Sequence, residues 1–524
     1  MPDFGFVGAS YEAPSIYQDA QECINFFCEI DPTKQPGARG VVAMYPTPGL
    51  VKIAQLDVNE VRGLHTLSNE DYIIAVAGAT VYKIDKNYTA TSIGTLGTTS
   101  GQVSISDNVT NNGMTAYIVD GINRYTWIES SNTFATLAGS DGPWKGANVV
   151  DSVDGYNVYN QPNTFNWACT DLNSSSSTQA LYGSANGFPD NITGLIVDRR
   201  QVYVLKDVTT EVWTDIGNVI AGITTFPFAR VPGTTVQGGC GATFSVARFG
   251  SSFALVCKDT RGDSTIEAMV NYDYKKFSTH AVEQSITNYV TSDAIAFTYQ
   301  IEGHEMYVVT FPSVGKYGLT WVYDGSTQQW HKWLSWDSNL AVYKRHRSNC
   351  GCFFNNEYIV GDYENGKIYK ILNNVYTEDG AVIRRMRRAP HLTTDLERQY
   401  FESFQIQFQP GVGLNGLLIA ETIYLMTENG DYLITEANDF LIAEQLENAV
   451  QGNDPQAMLR WSNDGGSTWS NEHWVTIGKI GQYANRALWR RLGWARDRIF
   501  EVVITDPIKA VIVSAELKAS VGEN

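Results

Sequence analysis

A hairpin unit recurs seven times along the middle of this chain. Each unit is an apolar run, a polar or glycine turn, then an aromatic-bearing run. The units occupy 72–76 with 81–84, 116–119 with 125–128, 156–159 with 165–168, 202–205 with 212–213, 253–257 with 265–269, 306–310 with 320–323, and 358–360 with 367–371. Their starts lie 40 to 53 residues apart, the length of one four-stranded propeller blade. Such a blade cannot bury both faces alone, so the repeats must stack on one another. Asn-Gly or Asp-Gly turn dipeptides begin at Asn112, Asp120, Asp141, Asp154, Asn186, Asp324, Asn365, Asp379, Asn415, Asn429 and Asp464. They favour the left-handed conformations of tight hairpins. Almost no segment holds a helical period over eleven residues.

The expected fold is all-β: a six- or seven-bladed β-propeller over 61–372, an extended N-terminal arm over 1–60 and a C-terminal β domain over 373–524. A pair of β-sandwiches would also satisfy the strand content, but the even spacing favours the propeller. Pro14, Pro32, Pro36, Pro46 and Pro48 interrupt strands and helices alike in the arm. Removing residues 1–40 is therefore expected to leave the propeller folded. The C-terminal region contains an octad repeat, Tyr424-Leu425-Met426-Thr427-Glu428-Asn429-Gly430-Asp431 followed by Tyr432-Leu433-Ile434-Thr435-Glu436-Ala437-Asn438-Asp439. It sits in an acidic insertion, 414–451, with seven carboxylates and no Lys or Arg. That insertion reads as stacked hairpins or as an ordinary acidic meander.

Composition narrows the function. Charged residues make up 18% of the 524 positions, and the net charge is −18. A chain built to grip nucleic acid needs an excess of Lys and Arg to displace counterions, and this one repels a phosphate backbone on average. No apolar run approaches the 18–20 residues of a membrane span. The opening Met1-Pro2-Asp3-Phe4 lacks the basic start and apolar stretch of a secretion signal. The seven cysteines form no Cys-x-x-Cys pair and read as buried thiols of a protein made in a reducing cytoplasm.

Ser462-Asn463-Asp464-Gly465-Gly466-Ser467-Thr468-Trp469 matches the Asp-box pattern in Ser462, Asp464, Gly466, Thr468 and Trp469. Asp-boxes are familiar from sialidases, yet the box is a turn staple with no chemistry of its own. No zinc-protease, nucleophile-elbow, P-loop or dinucleotide motif occurs, and the seven histidines stand apart. Catalytic, metal and cofactor residues are accordingly assigned to none. Arg384, Arg385, Arg387 and Arg388 form the strongest basic cluster, a candidate contact for DNA or an acidic partner. In a strand, Arg385 and Arg387 would share one face, and Arg384 and Arg388 the other. A weaker basic patch is Tyr343-Lys344-Arg345-His346-Arg347. Trp321, Tyr323, Trp330, Trp333 and Trp336 could stack on sugars, with core packing the favoured reading. Arg261-Gly262-Asp263 reads as a turn.

Three stretches resemble the packaged-DNA stabilisation proteins of short-tailed bacteriophages, also called tail hub or nozzle proteins. The first is Gly8-Ala9-Ser10-Tyr11, Asp19 to Phe27 and Tyr45-Pro46-Thr47-Pro48-Gly49-Leu50. The second is Lys276-Phe277-Ser278-Thr279-His280-Ala281-Val282-Glu283-Gln284-Ser285-Ile286. The third runs from Ser462 through Gly493 to Asp506-Pro507. The resemblance implies a non-enzymatic virion protein without cofactors, assembled in the host cytoplasm into a homo-oligomeric ring, commonly a hexamer. The ring would sit below the portal and its adaptor protein and extend the DNA channel. It would retain the genome without binding it tightly, hold a tail needle or plug, and anchor tailspikes or tail fibres, with no membrane insertion by this chain. The competing expectation is a carbohydrate-binding or sialidase-like β-propeller.

Overall fold

The computed structural model describes residues 5–34, 41–217, 225–258, 262, 264–394, 397–409, 454–479 and 482–522. The insertion 414–451, and Arg261 and Asp263 of the tripeptide, lie outside them. Strands dominate the described residues, and the one α-helix among them is His280–Ile286. No helix there is long and apolar enough to cross a membrane. The chain divides into two compact units: Ala9–Phe27 with Thr47–Ala381, and Met1–Gly8 with Cys28–Pro46 and Val382–Asn524.

Seven antiparallel blades follow one another along the larger unit. Six are local in sequence, at 61–95, 104–136, 150–184, 192–230, 247–276 and 295–332. The seventh comprises Ser348–Phe354, Glu357–Asp362 and Lys367–Leu372, and its outer strand is Gly49–Gln55. Lys367 pairs with Gln55 and Leu372 with Gly49. The chain thus closes the propeller with a strand that precedes its first blade. Two turn dipeptides adopt the expected left-handed geometry outright: Asp154-Gly155 at φ 48° and 88°, and Asp379-Gly380 at φ 50° and 82°.

The second strands of the blades are near-continuous buried runs, such as Ile73–Ala77 and Tyr156–Asn160, so both sheet faces pack against neighbours. Trp127 and Ile118 of the second blade pack with Ile74 and Val81 of the first. Trp167 of the third joins Val204 of the fourth. Val61 and Ile73 of the first meet Ile359 and Ile368 of the seventh. Between the sixth and seventh, Trp333 packs 5.4 Å from Tyr299 and stacks 3.7 Å from His346.

Buried cations staple the loops that join blades. The Arg62 guanidinium donates to the carbonyls of Gly78, Thr98, Ser100 and Gly101 at 2.6–2.8 Å. Arg124 donates to the carbonyls of Asp141, Lys145 and Trp144 and stacks over Tyr159 at 4.6 Å. Lys206 donates to the carbonyls of Ala185 and Phe188 and pairs with Asp190 and Glu211. All three are wholly buried. Each saturates carbonyls that an irregular loop would otherwise leave without partners.

The N-terminal segment, read as an extended arm with short strands, contributes residues to both units. Ala20–Ile24 runs beside the last strand of the sixth blade, with Ile24 opposite Lys332 in parallel register. Asn25, at φ 59°, donates to the Leu334 carbonyl and accepts from the Leu334 N–H, at 2.8 and 2.9 Å. Lys332 is buried between Glu12 and Glu22, the latter at 2.7 Å. Burial opposes its charge, but the two carboxylates prevail and push its pKa up to about 12. All seven cysteines are free thiols, with Cys350 and Cys352 half-buried and the other five buried. Burial pushes the Cys240 and Cys352 thiols up to about 12, which keeps them protonated and inert at neutral pH.

The smaller unit is a two-layer sandwich. One layer holds Val42–Pro46, Ile512–Val521, Gln399–Phe408 and Ala487–Arg490; the other holds Arg385–Arg388, Asp497–Ile504, Gln456–Ser462 and His473–Thr476. Phe404 of the first layer stacks 5.1 Å from Phe500 of the second, at 13° between planes.

The Lys332 clasp ties the segment carrying Glu12 and Glu22 to the sixth blade. The double variant Glu12→Gln/Glu22→Gln leaves a buried ammonium without a countercharge. It should lose about 3 kcal/mol of unfolding free energy by chemical denaturation. Deleting residues 1–27 should lower the melting temperature of the propeller core further.

Candidate functional site

The Asp-box links Gln456–Ser462 to His473–Thr476. Ser462 Oγ donates to Asp464 Oδ1 at 2.7 Å and accepts the Gly466 N–H at 2.8 Å. Asp464 also accepts the Thr468 N–H at 2.8 Å and its hydroxyl at 2.6 Å. Gly465 and Gly466 have φ of 68° and 101°, where a side chain would strain the backbone. The hydrogen bonds from Ser462 and Thr468 hold the Asp464 carboxyl down at about 2. The Ser462 hydroxyl, the Asp464 carboxylate and the Thr468 hydroxyl all bond within their own turn.

The basic cluster meets the Asp-box through a carboxylate that sequence spacing did not reveal. Glu501 is central in its sheet, with Arg388 on the strand to one side and Arg460 on the strand to the other, each directly opposite it. Arg388 Nη2 lies 2.9 Å from Glu501 Oε2, and Arg460 Nε lies 2.6 Å from Oε1. Glu501 is wholly buried, so the two cations offset a desolvation cost that neither could offset alone. Both guanidiniums also lie over the Trp469 ring, at 5.0 and 4.7 Å. The Asp-box tryptophan therefore caps an Arg–Glu–Arg ladder.

Arg385 and Arg387 share a strand face as expected, and both are wholly buried. Arg387 Nε donates to the Phe6 carbonyl at 2.6 Å, and Arg385 Nη1 to the Asp506 carbonyl at 3.2 Å. Arg384 is half-buried. The guanidiniums of Arg385, Arg387 and Arg388 thus each have a partner within the sandwich. Arg498 adds a fourth internal cation, donating to Leu492 and Trp494 carbonyls and Asn463 Oδ1. Burial pulls its pKa down to about 10. In sequence it is the last of a series, Arg490, Arg491, Arg496 and Arg498, before an apolar strand.

The innermost strands of the propeller surround a central cavity of about 690 Å³. His65 Nε2 lies 2.6 Å from Asp107 Oδ1, and Asp107 Oδ2 accepts the Ser68 N–H at 2.9 Å. Burial opposes the Asp107 charge, but these bonds hold its carboxyl below the usual range. Asp151 is raised by burial, against bonds from the Val197 and Ser152 amides. Arg248 stands 3.9 Å from both Asp151 and Asp198. The cavity has the volume of a small-molecule site. It is far too small for a duplex whose major groove alone admits a helix.

The other candidates are mostly internal. Trp321, Trp330 and Trp333 are buried; Tyr323 packs 4.5 Å from Phe277. In the second basic patch, Arg345 lies 3.8 Å over Tyr363, His346 is wholly buried, and Arg347 pairs with Glu378. His304 and His391 each bond a carboxylate, Asp324 and Asp497, at 2.7 and 2.8 Å. Among the described residues no group of three His, Cys, Asp or Glu side chains could hold a metal ion.

Residues 23–376 match the family described as bacteriophage P22 Gp10, beta-propeller, and residues 425–520 match bacteriophage P22 Gp10, beta-sandwich. No curated protein matches the chain. Among solved structures, a chain of the mitotic checkpoint complex aligns at 11% identity and TM-score 0.36, covering 66% of this chain and 96% of that one. The computationally designed Ika8 protein aligns at 14% identity and TM-score 0.35, covering 67% and 100%.

Replacing Glu501 by Gln should cost about 3–5 kcal/mol in urea unfolding, because two guanidiniums lose their buried carboxylate. Asp464 has a folded pKa near 2, below its unfolded value of 3.8. Its stabilising contribution is present above about pH 4 and lost as pH falls toward 2. Asp464→Asn should flatten that limb of the stability–pH profile.

Proposed function

We propose, for a chain that belongs to the bacteriophage P22 Gp10 family of packaged-DNA stabilisation proteins, that it works as the annular nozzle of a short phage tail. The family matches cover both the propeller and the sandwich in order, and that observation carries the reading. A phage structural role in stabilising packaged DNA follows from family membership itself. The finer role extends it. Several copies, commonly six in proteins of this kind, surround one axis below the portal adaptor and continue the DNA channel. They carry a needle or plug and tailspikes or fibres at the surface.

Two physical observations support a ring of copies. The central cavity of a single propeller is ligand-sized, which fits a duplex conduit framed by several chains rather than by one. The net charge is −18 per chain, and a channel wall of that sign repels the duplex and lets it slide during ejection. The basic cluster does not oppose this, because Arg385 and Arg387 are internal. The sialidase-like alternative rested on one Asp-box and many aromatics; here that motif is a turn staple packed on Arg388 and Arg460, and Trp321, Trp330 and Trp333 are buried.

Electron microscopy of the purified chain, alone and with the portal adaptor, tests the reading. Annular particles of six copies with a negative inner wall are expected. A monomer at every concentration with the adaptor present, or a strongly positive wall, would count against it.

A further inference from the structure

In a chain of net charge −18, the stretch from His473 to Arg496 holds five Lys and Arg residues and no Asp or Glu. Lys479, Arg486, Arg490, Arg491 and Arg496 are all exposed, unlike the buried Arg385 and Arg387 of the same sandwich. Neither Arg490 nor Arg491 has a carboxylate partner among the described residues. Tyr483 and Trp494 stand among these cations, 73% and 51% exposed. An exposed strip of one sign repels itself until opposite charge covers it.

The acidic segment leaves the sandwich and returns to it beside this strip. Gln399–Phe408 runs antiparallel to Ala487–Arg490, with Ser403 opposite Arg490 and Ile406 opposite Ala487. Its chain therefore emerges next to Arg486, whose Nη1 donates to Gln405 Oε1 at 3.2 Å. The chain re-enters at Asp454, whose Oδ1 accepts the Thr476 hydroxyl at 2.6 Å. The Pro455 carbonyl accepts the Ile477 N–H at 2.7 Å, just before Lys479. Asn485 Nδ2 donates to the Thr476 carbonyl at 3.1 Å, which ties the point of re-entry to the neighbour of Arg486. From Ala487, Arg490 is about 10 Å further along its strand.

The charges are complementary. Residues 414–451 carry seven carboxylates and no Lys or Arg, with Glu428, Glu436 and Glu444 at intervals of eight. Tyr424, Tyr432 and Phe440 supply apolar surface for Tyr483 and Trp494. Anchored at both ends beside the strip, the segment meets it at an effective concentration on the order of 1 mM, above what a second copy reaches in solution. We propose that segment 414–451 docks on the basic strip of its own sandwich, its carboxylates on Lys479, Arg490 and Arg491, and so withholds those cations from phosphate-bearing polymers. The contact needs no second copy and does not rest on the nozzle reading.

Two measurements on the full chain test it. Carbodiimide joins a carboxylate to an amine in direct contact, so an equal mixture of isotope-labelled and unlabelled chain should yield links from Lys479 to carboxylates of 414–451 within single chains. Endoproteinase Glu-C should cut after Glu428, Glu436 or Glu444 about fivefold faster in Arg490→Gln/Arg491→Gln at low ionic strength, with an unchanged melting temperature. Replacing 414–451 by a short glycine-serine linker should raise affinity for a DNA duplex at least about tenfold. Absence of the Lys479 link, links joining labelled to unlabelled chains, equal cleavage of both proteins, or no gain in duplex affinity would each overturn the assignment. So would duplex binding by the unaltered chain that Arg490→Gln/Arg491→Gln abolishes, since the strip would then be open to nucleic acid.

Discussion

The antiparallel pairing of Gly49–Gln55 with Lys367–Leu372 is the constraint on which the rest of the propeller depends. Each blade is stable only while its two faces are covered by neighbours. An open row would leave the first and seventh blades with apolar faces in water. The N-terminal strand joins the last sheet and brings Ile359 and Ile368 against Val61 and Ile73. Local hairpins, which form cheaply, are thereby tied into one cooperative body by a contact between residues more than 300 positions apart.

Charged side chains do a second kind of work. In a chain of net charge −18, several cations are withdrawn from the surface altogether. Arg62, Arg124 and Lys206 saturate the carbonyls of inter-blade loops, and Lys332 clasps the segment that carries Glu12 and Glu22. In the sandwich, Glu501 lies between Arg388 and Arg460 with Trp469 over both. Among the described residues buried carboxylates such as Asp190, Glu211, Glu378 and Glu501 match the buried cations in number, so the acidic balance of the composition stays on the surface.

The hairpin period was legible because a β-strand exposes its pattern locally. Alternation, turn dipeptides and spacing all lie within about 50 residues of one another. The blade number was left at six or seven because the seventh blade borrows its outer strand from 49–55, and no local pattern records such a loan. The same limit explains the arm. Its prolines mark it as irregular, but nothing near Glu12 or Glu22 in sequence points to Lys332.

The sequence by itself determined the β class, the propeller, the Asp-box turn and the resemblance to phage stabilisation proteins, because each is written in contiguous residues whose backbone preferences are local. Only the tertiary structure decided which charges are spent inside. Arg385, Arg387 and Arg388 read in sequence as one basic cluster, and the distant Glu501, Phe6 and Asp506 are their partners within the sandwich. It also parted Trp336 from Trp321, Trp330 and Trp333, since which face of a strand meets a neighbour depends on how the blades close, and that closure is a long-range event.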